Sequence, residues 1–139
     1  MAVRSALFTV MDRAVRKAGR ALVRDFGEVE NLQVSVKGPG YAFLMEESVA
    51  SGSDNWSWRW IVDPLDGTTN FLHSIPHFAI SVALERGGDI VAGLVYNPVQ
   101  DELFWAERGH GAFLNDRRLR VSGRKNLGEA LLGTGIPFQ

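Results

Sequence analysis

Apolar residues recur at spacings of three and four along residues 5–26, at Leu7, Val10, Met11, Ala14, Ala18, Ala21, Leu22 and Phe26, with Arg13, Arg16, Lys17, Arg20 and Arg24 around the rest of the wheel. That period predicts one amphipathic helix over 5–26. Ser5 is placed to cap its start, and Gly27 to end it in a left-handed conformation. The basic residues read as its solvated face.

From Tyr41 onward, short apolar runs separated by turn residues replace this period. Residues 41–45 form a run that stops at Glu46-Glu47, and residues 48–55 are small and polar, hence a loop. Residues 58–62 are aromatic and β-branched, predicting a strand that turns at Asp63-Pro64. Residues 78–84 and 90–96 read as strands paired across Arg86-Gly87-Gly88-Asp89. Runs at 103–106 and 112–114 follow, joined through Arg108-Gly109-His110-Gly111, and 119–121 lies past an Asn115-Asp116 turn. The expected architecture is an antiparallel meander packed on at least one helix, a layered α+β fold. Residues 131–134 read as one more strand entering a core, yet its further neighbours are not supplied before Gln139. The chain is therefore expected to be part of a larger fold.

Composition narrows the chemistry. The chain has 15 Lys plus Arg against 16 Asp plus Glu, and 45% of its 139 residues are apolar, so an ordinary core is expected and disorder is not. This balance gives no support for bulk nucleic-acid binding. No run approaches the ~18 apolar residues of a membrane span, and the start lacks the layout of a secretory signal. The absence of Cys removes disulfides, thiolate nucleophiles and Cys-ligated metals, and three scattered His (His73, His77, His110) do not suggest a His-rich site. Any bound metal must be held by oxygen.

Two acidic signals stand at predicted strand ends: Glu46-Glu47, and Asp63-Pro64-Leu65-Asp66-Gly67-Thr68-Thr69-Asn70. Between positions 46 and 66 the chain carries carboxylates at 46, 47, 54, 63 and 66 against one cation, Arg59. Crowded carboxylates repel one another, and a hard divalent cation such as Mg²⁺ relieves that cost. A tight turn over 63–66 would aim Asp63 and Asp66 at one point and expose the Leu65 carbonyl as a third oxygen ligand. Gly67, lacking a Cβ, admits a ligand close to the backbone, and Thr68-Thr69-Asn70 offers hydroxyls and first-turn N–H groups suited to phosphate. Metal and anion-binding amides at one turn are the equipment of metal-assisted phosphoryl hydrolysis. In isolation Asp66-Gly67 is ordinary turn chemistry, and Glu46-Glu47 an ordinary surface pair. The length of the string is what exceeds the needs of a turn.

The run from Trp60 to Phe71 resembles, almost letter for letter, the first signature of the inositol monophosphatase family of Mg²⁺-dependent, lithium-sensitive phosphatases. Phe43-Leu44-Met45-Glu46-Glu47-Ser48, residues 76–84, Gly93-Leu94-Val95-Tyr96-Asn97-Pro98 and residues 109–115 are similar to its flanking segments. The resemblance covers nearly the whole chain but about the first half of a typical member. It implies that residues 1–139 form the N-terminal α+β domain of an αβαβα sandwich, without the C-terminal half. Glu46, Asp63 and the Leu65 carbonyl would hold one metal, and Asp63 and Asp66 a second. Gly67 and Thr68 would give backbone N–H groups to phosphate, and the Thr68 hydroxyl would orient the attacking water. Glu47 receives no role.

Two departures from the family pattern matter. The Trp-Asp motif of the C-terminal half, with its further metal-ligating Asp, does not occur in these residues. Only Gly38-Pro39-Gly40 stands where members carry a longer segment with an Asp-bearing helix, whose Asp partners the equivalent of Thr68. The 139 residues alone are therefore expected to be inactive.

The leading expectation is Mg²⁺-dependent hydrolysis of a small phosphomonoester, foremost myo-inositol 1-phosphate, by a cytoplasmic homodimer with no membrane or specific nucleic-acid partner. Alternatives are a non-catalytic metal- or anion-binding module acting through a protein partner, or a phosphatase for fructose 1,6-bisphosphate, histidinol phosphate or a 3′-phosphoadenosine nucleotide. Arg117, Arg118, Arg120, Arg124 and Lys125 read as a solvated strand face before a polyanion site, and His73 and His77 as structural neighbours of the phosphate turn.

Overall fold

A computed structural model describes residues 5–27 and 58–133. The predicted helix forms as α1, Ala6–Phe26. The Ser5 side chain accepts the Phe8 N–H at its start, satisfying one of the unpaired amides of the first turn. At the other end Gly27 is right-handed, at φ −68°, contrary to expectation, and its N–H closes the helix by donating to the Val23 carbonyl.

Among the described residues six antiparallel strands follow in simple meander order: β1 (Trp58–Asp66), β2 (Ala79–Arg86), β3 (Asp89–Asn97), β4 (Glu102–Glu107), β5 (Gly111–Leu114) and β6 (Arg117–Arg118). A short helix, α2 (Thr68–Leu72), links β1 to β2. The β2–β3 hairpin turns on Gly87-Gly88, both with positive φ (58° and 87°), the backbone that tight two-residue hairpins require. The layered α+β architecture stands as expected.

Alternation decides what is buried. Ile80, Val82 and Leu84 of β2, Ala92, Leu94 and Tyr96 of β3, Leu103 and Trp105 of β4 and Phe113 of β5 form one face of the sheet, packed on Phe8, Met11 and Val15 of α1. Trp105 stands between Phe8 and Phe113, with ring centroids 4.2 and 4.4 Å away, and donates its indole N–H to the Asn115 carbonyl at 2.9 Å. Each large side chain so buried contributes about 1.5–3 kcal/mol. Phe26, Phe71 and Phe78 form a second aromatic group, with centroids 5.0–5.6 Å apart, joining the end of α1 to α2 and the start of β2.

Three expectations are corrected. The buried stripe of α1 is Phe8, Met11, Val15 and Gly19, so the predicted face is met in part. Met11 is in the core, Leu7 and Leu22 pack against it and Phe26 joins the second aromatic group, whereas Val10 is 62% exposed and Ala14 and Ala18 are exposed too. Residues 119–121 are not a strand: among the described residues the last strand of the sheet is the two-residue β6 at Arg117–Arg118. Residues 131–133 are irregular, with Leu131 94% exposed, because nothing among the described residues pairs with them. Residues 41–57, with the predicted strand at 41–45, Glu46, Glu47 and the predicted loop at 48–55, and Thr134, lie outside the described residues.

Candidate metal and phosphate site

β1 does not end at Asp63-Pro64 but runs on to Asp66 with a break in register. Asp63 pairs with Ser81 and Asp66 with Ala79, so Pro64 and Leu65 together stand opposite Ile80 alone, as in a β-bulge. Among the described residues β1 is the first strand of the sheet and pairs on one side with β2, an arrangement in which a proline without an N–H is tolerated. The bulge has a direct chemical consequence. In a regular strand, residues three apart point to opposite faces. Ser81 and Ala79 are two apart and share a face, so Asp63 and Asp66 share it as well. That face is the one turned away from α1. Pro64 goes to the other side, where it lines a recess with Val10, Met11, Trp60 and Val62.

The turn is internally fastened. An Asp63 carboxylate oxygen accepts the Leu65 N–H at 3.1 Å, and the Thr68 hydroxyl donates to the Leu65 carbonyl at 2.9 Å. Asp63, Leu65 and Thr68 thus form one hydrogen-bonded unit, and a carboxylate and a carbonyl each keep further lone pairs. Asp63 and Asp66 are exposed. Gly67, at φ 86°, is left-handed, and a Cβ there would stand 2.9 Å from the His77 carbonyl and 3.2 Å from the Phe78 Cα. α2 starts at Thr68, its first helical bond running from the Phe71 N–H to the Gly67 carbonyl. The N–H groups of Thr68, Thr69 and Asn70 therefore precede the helix's own bonding pattern.

Of the predicted site residues, the structure brings together Asp63, Leu65, Asp66, Gly67 and Thr68. Among the described residues no three His, Asp or Glu side chains gather tightly enough to hold a metal by themselves. Two carboxylates and one carbonyl at one turn are nevertheless an all-oxygen donor set, which fits Mg²⁺ in chemistry. Asp66, Gly67, Asn70, His77, Asn97 and Glu102 contribute to a groove of about 460 Å³ beside the turn. The contribution of Asn97 and Glu102 carried no local sequence signal, since it depends on the pairing of β3 and β4. The rings of His73 and His77 are exposed, and the basic residues at 117, 118, 120, 124 and 125 are on the surface, with Arg118 lying 5.9 Å from the Phe113 ring.

Comparison with known proteins matches residues 8–139 to the model of the inositol monophosphatase family. An inositol-1-monophosphatase of Rhizobium meliloti is 57% identical over 158 aligned positions, covering 96% of this chain and 59% of the relative. That alignment is longer than the chain itself, so the relative carries residues that this chain lacks. A Nus factor SuhB of Pseudomonas aeruginosa is 50% identical over 103 positions, covering 73% of this chain and 38% of the relative. The crystal structure of the extragenic suppressor protein suhB from Bartonella henselae superimposes with a TM-score of 0.74 at 56% identity, covering 86% of this chain and 56% of that one. The chain spans about three-fifths of the length of the curated relatives it matches over most of its own length. With the signature turn, its sheet and its helix all accounted for, the chain belongs to the inositol monophosphatase family.

Proposed function

We propose that this chain is the N-terminal part of an Mg²⁺-dependent phosphatase that hydrolyses a small phosphomonoester, foremost myo-inositol 1-phosphate. The observation that carries the reading is the bulge in β1, which sets Asp63 and Asp66 on one face with the Leu65 carbonyl between them in sequence. Glu46, Asp63 and the Leu65 carbonyl would hold one ion, and Asp63 and Asp66 a second. Bound Mg²⁺ supplies a lowered pKa for a coordinated water and neutralises charge on phosphoryl oxygens. The backbone N–H groups of Gly67 and Thr68 hold the phosphate, and the Thr68 hydroxyl orients the attacking water. The resemblance further supports a cytoplasmic homodimer sensitive to lithium, and the 139 residues alone as inactive. No helix among the described residues is long and apolar enough to cross a membrane.

The test is phosphate release from inositol 1-phosphate by the full-length protein. Turnover is expected to need Mg²⁺, to fall with lithium, and to drop by about 10²-fold or more in Asp63→Asn, the scale of losing an electrostatic contributor to the transition state. Release that persists after chelation, or at full rate in Asp63→Asn, overturns the assignment. A second reading follows from the relatives named Nus factor SuhB: a metal- or anion-binding module that acts through a protein partner. Calorimetric Mg²⁺ binding without turnover in the full-length protein favours that reading.

A further inference from the structure

Asn70 has no part in the ligand set above, yet it is the residue on which the surroundings of the signature turn converge. Its side-chain N–H₂ donates to the His77 carbonyl at 2.8 Å. Its own carbonyl accepts the Ile75 N–H at 2.8 Å and the His73 N–H at 3.2 Å. One residue thereby ties down both ends of the loop between α2 and β2. The loop has reason to need tying: Ser74 stands at φ 56°, a left-handed backbone that an L side chain adopts at a cost of about 1–2 kcal/mol. The His77 carbonyl that Asn70 holds is also the atom lying 2.9 Å from where a Gly67 Cβ would be. The His77 carbonyl therefore stands directly over Gly67, and Asn70 adds a side-chain anchor to the hold given by Phe78 in its aromatic group and by the Asp66–Ala79 pairing.

We propose that Asn70 is a positioning residue: by clamping the His77 carbonyl over Gly67 it fixes the direction in which the Asp66–Thr68 segment meets the substrate phosphate. The inference rests on the phosphate-turn reading above and extends it to a residue that touches neither phosphate nor metal in that reading. The Asn70→Asp variant keeps the shape, removes the donor and sets an acceptor against the His77 carbonyl. The His77 carbonyl then loses its side-chain anchor and is held against Gly67 through its chain neighbours, Phe78 in the aromatic group and Ala79 paired with Asp66.

The experiment uses the full-length protein and two readouts. Amide hydrogen exchange over residues 66–78, measured without metal, is expected to quicken in Asn70→Asp while exchange in β3 and β4 is unchanged. Calorimetric binding of inorganic phosphate in Mg²⁺ is expected to weaken by about tenfold in Asn70→Asp and also in the uncharged Asn70→Ser, with the KM for inositol 1-phosphate rising in step. Weakening confined to Asn70→Asp would be repulsion by the added carboxylate and overturns the inference. A residue that merely supports stability would lower the melting temperature and the active fraction, leaving phosphate affinity and KM where they were. Unchanged phosphate affinity in the variant, or unchanged exchange over 66–78, overturns the inference while leaving the phosphatase reading intact. Failure of the wild-type protein to bind phosphate at all overturns both. If Asn70→Asp does not fold, Asn70→Ser carries the same comparison, with the same outcomes deciding it.

Discussion

Gly67 meets two requirements that no other residue type satisfies together. Its φ of 86° is left-handed, and the His77 carbonyl leaves no room for a Cβ. Gly67→Ala is expected to destabilise the protein by at least about 1–2 kcal/mol from the backbone alone, more once the contact is relieved by movement. Urea unfolding with an unchanged m value would measure it, and a loss within 0.5 kcal/mol (the order of a neutral surface change) would show that the turn accommodates a side chain. The demand was visible in the sequence as Asp-Gly after a proline. What was not visible is which atom fills the space, because that atom belongs to a loop ten residues on. Asp63 and Asp66 make the same point: their spacing of three suggested a turn that aims both, whereas the sheet does the aiming by a bulge.

Among the elements, α1 shows how a period can be right and its phase only partly so: Leu7, Met11, Leu22 and Phe26 pack inward as expected, while Val10, Ala14 and Ala18 do not. Apolar or small residues occupy so many positions between Leu7 and Val23 that several faces would serve as a packing stripe. The choice falls on the face with Gly19, where a Cβ would stand 2.7 Å from the Tyr96 ring and 3.0 Å from Pro98. Glycine inside a helix costs about 1 kcal/mol relative to alanine, and here it leaves room for the Tyr96 ring and Pro98 against the helix. Gly19→Val is therefore expected to destabilise by about 1–3 kcal/mol through overpacking, despite valine's better helix propensity. Denaturant titration decides this, and a stabilised variant would mean that the helix can lift from β3 without loss. The strand errors have a related cause. Residues 131–133 carry apolar residues suited to a strand, but a strand exists only where a neighbour offers its backbone. Past β6, Leu119 still donates to the Ala112 carbonyl of β5 at 2.8 Å, and residues 120–121 do not continue the ladder.

Across the whole molecule, a polar contact ties helix to meander over 85 residues of chain. Arg16 bonds Asp12 one helical turn back and reaches Asp101 in the β3–β4 turn at 2.7 Å, while the Tyr96 hydroxyl donates to the same Asp101 oxygen at 3.0 Å. The Arg16 hydrogen bond, followed by that from Tyr96, holds the Asp101 carboxyl below its ordinary pKa. A depressed folded-state pKa means that the unfolded chain binds more protons in acid. The stabilisation is therefore complete above the ordinary carboxylate value of about 4 and is lost as pH falls through the lower folded value. Asp101 sits at φ 51°, a conformation that asparagine also accepts, so Asp101→Asn removes the charge without breaking the turn. The variant is expected to be less stable than wild type at pH 7, with the gap closing below about pH 4. Melting temperatures across that range provide the check, and a gap independent of pH would deny the carboxylate any part. The Asp101 carboxylate is largely exposed and the Arg16 side chain half-buried, so the effect is expected to be small and to shrink with salt.

The helix, the order of most strands, the hairpin glycines and the signature turn were legible in the chain because each is governed by neighbours in sequence: a period of 3.6 or 2, a cap, a turn dipeptide. Those same local rules pointed to oxygen ligands and phosphate, since Asp, Gly and Thr carry their chemistry wherever they stand. The facing of α1, the length of β1 past Pro64, the sharing of one face by Asp63 and Asp66, and the fastening of the His77 carbonyl by Asn70 were settled only in three dimensions. Each depends on contact with residues whose placement the local pattern does not specify, and close packing or strand register admits one solution where periodicity alone allows several.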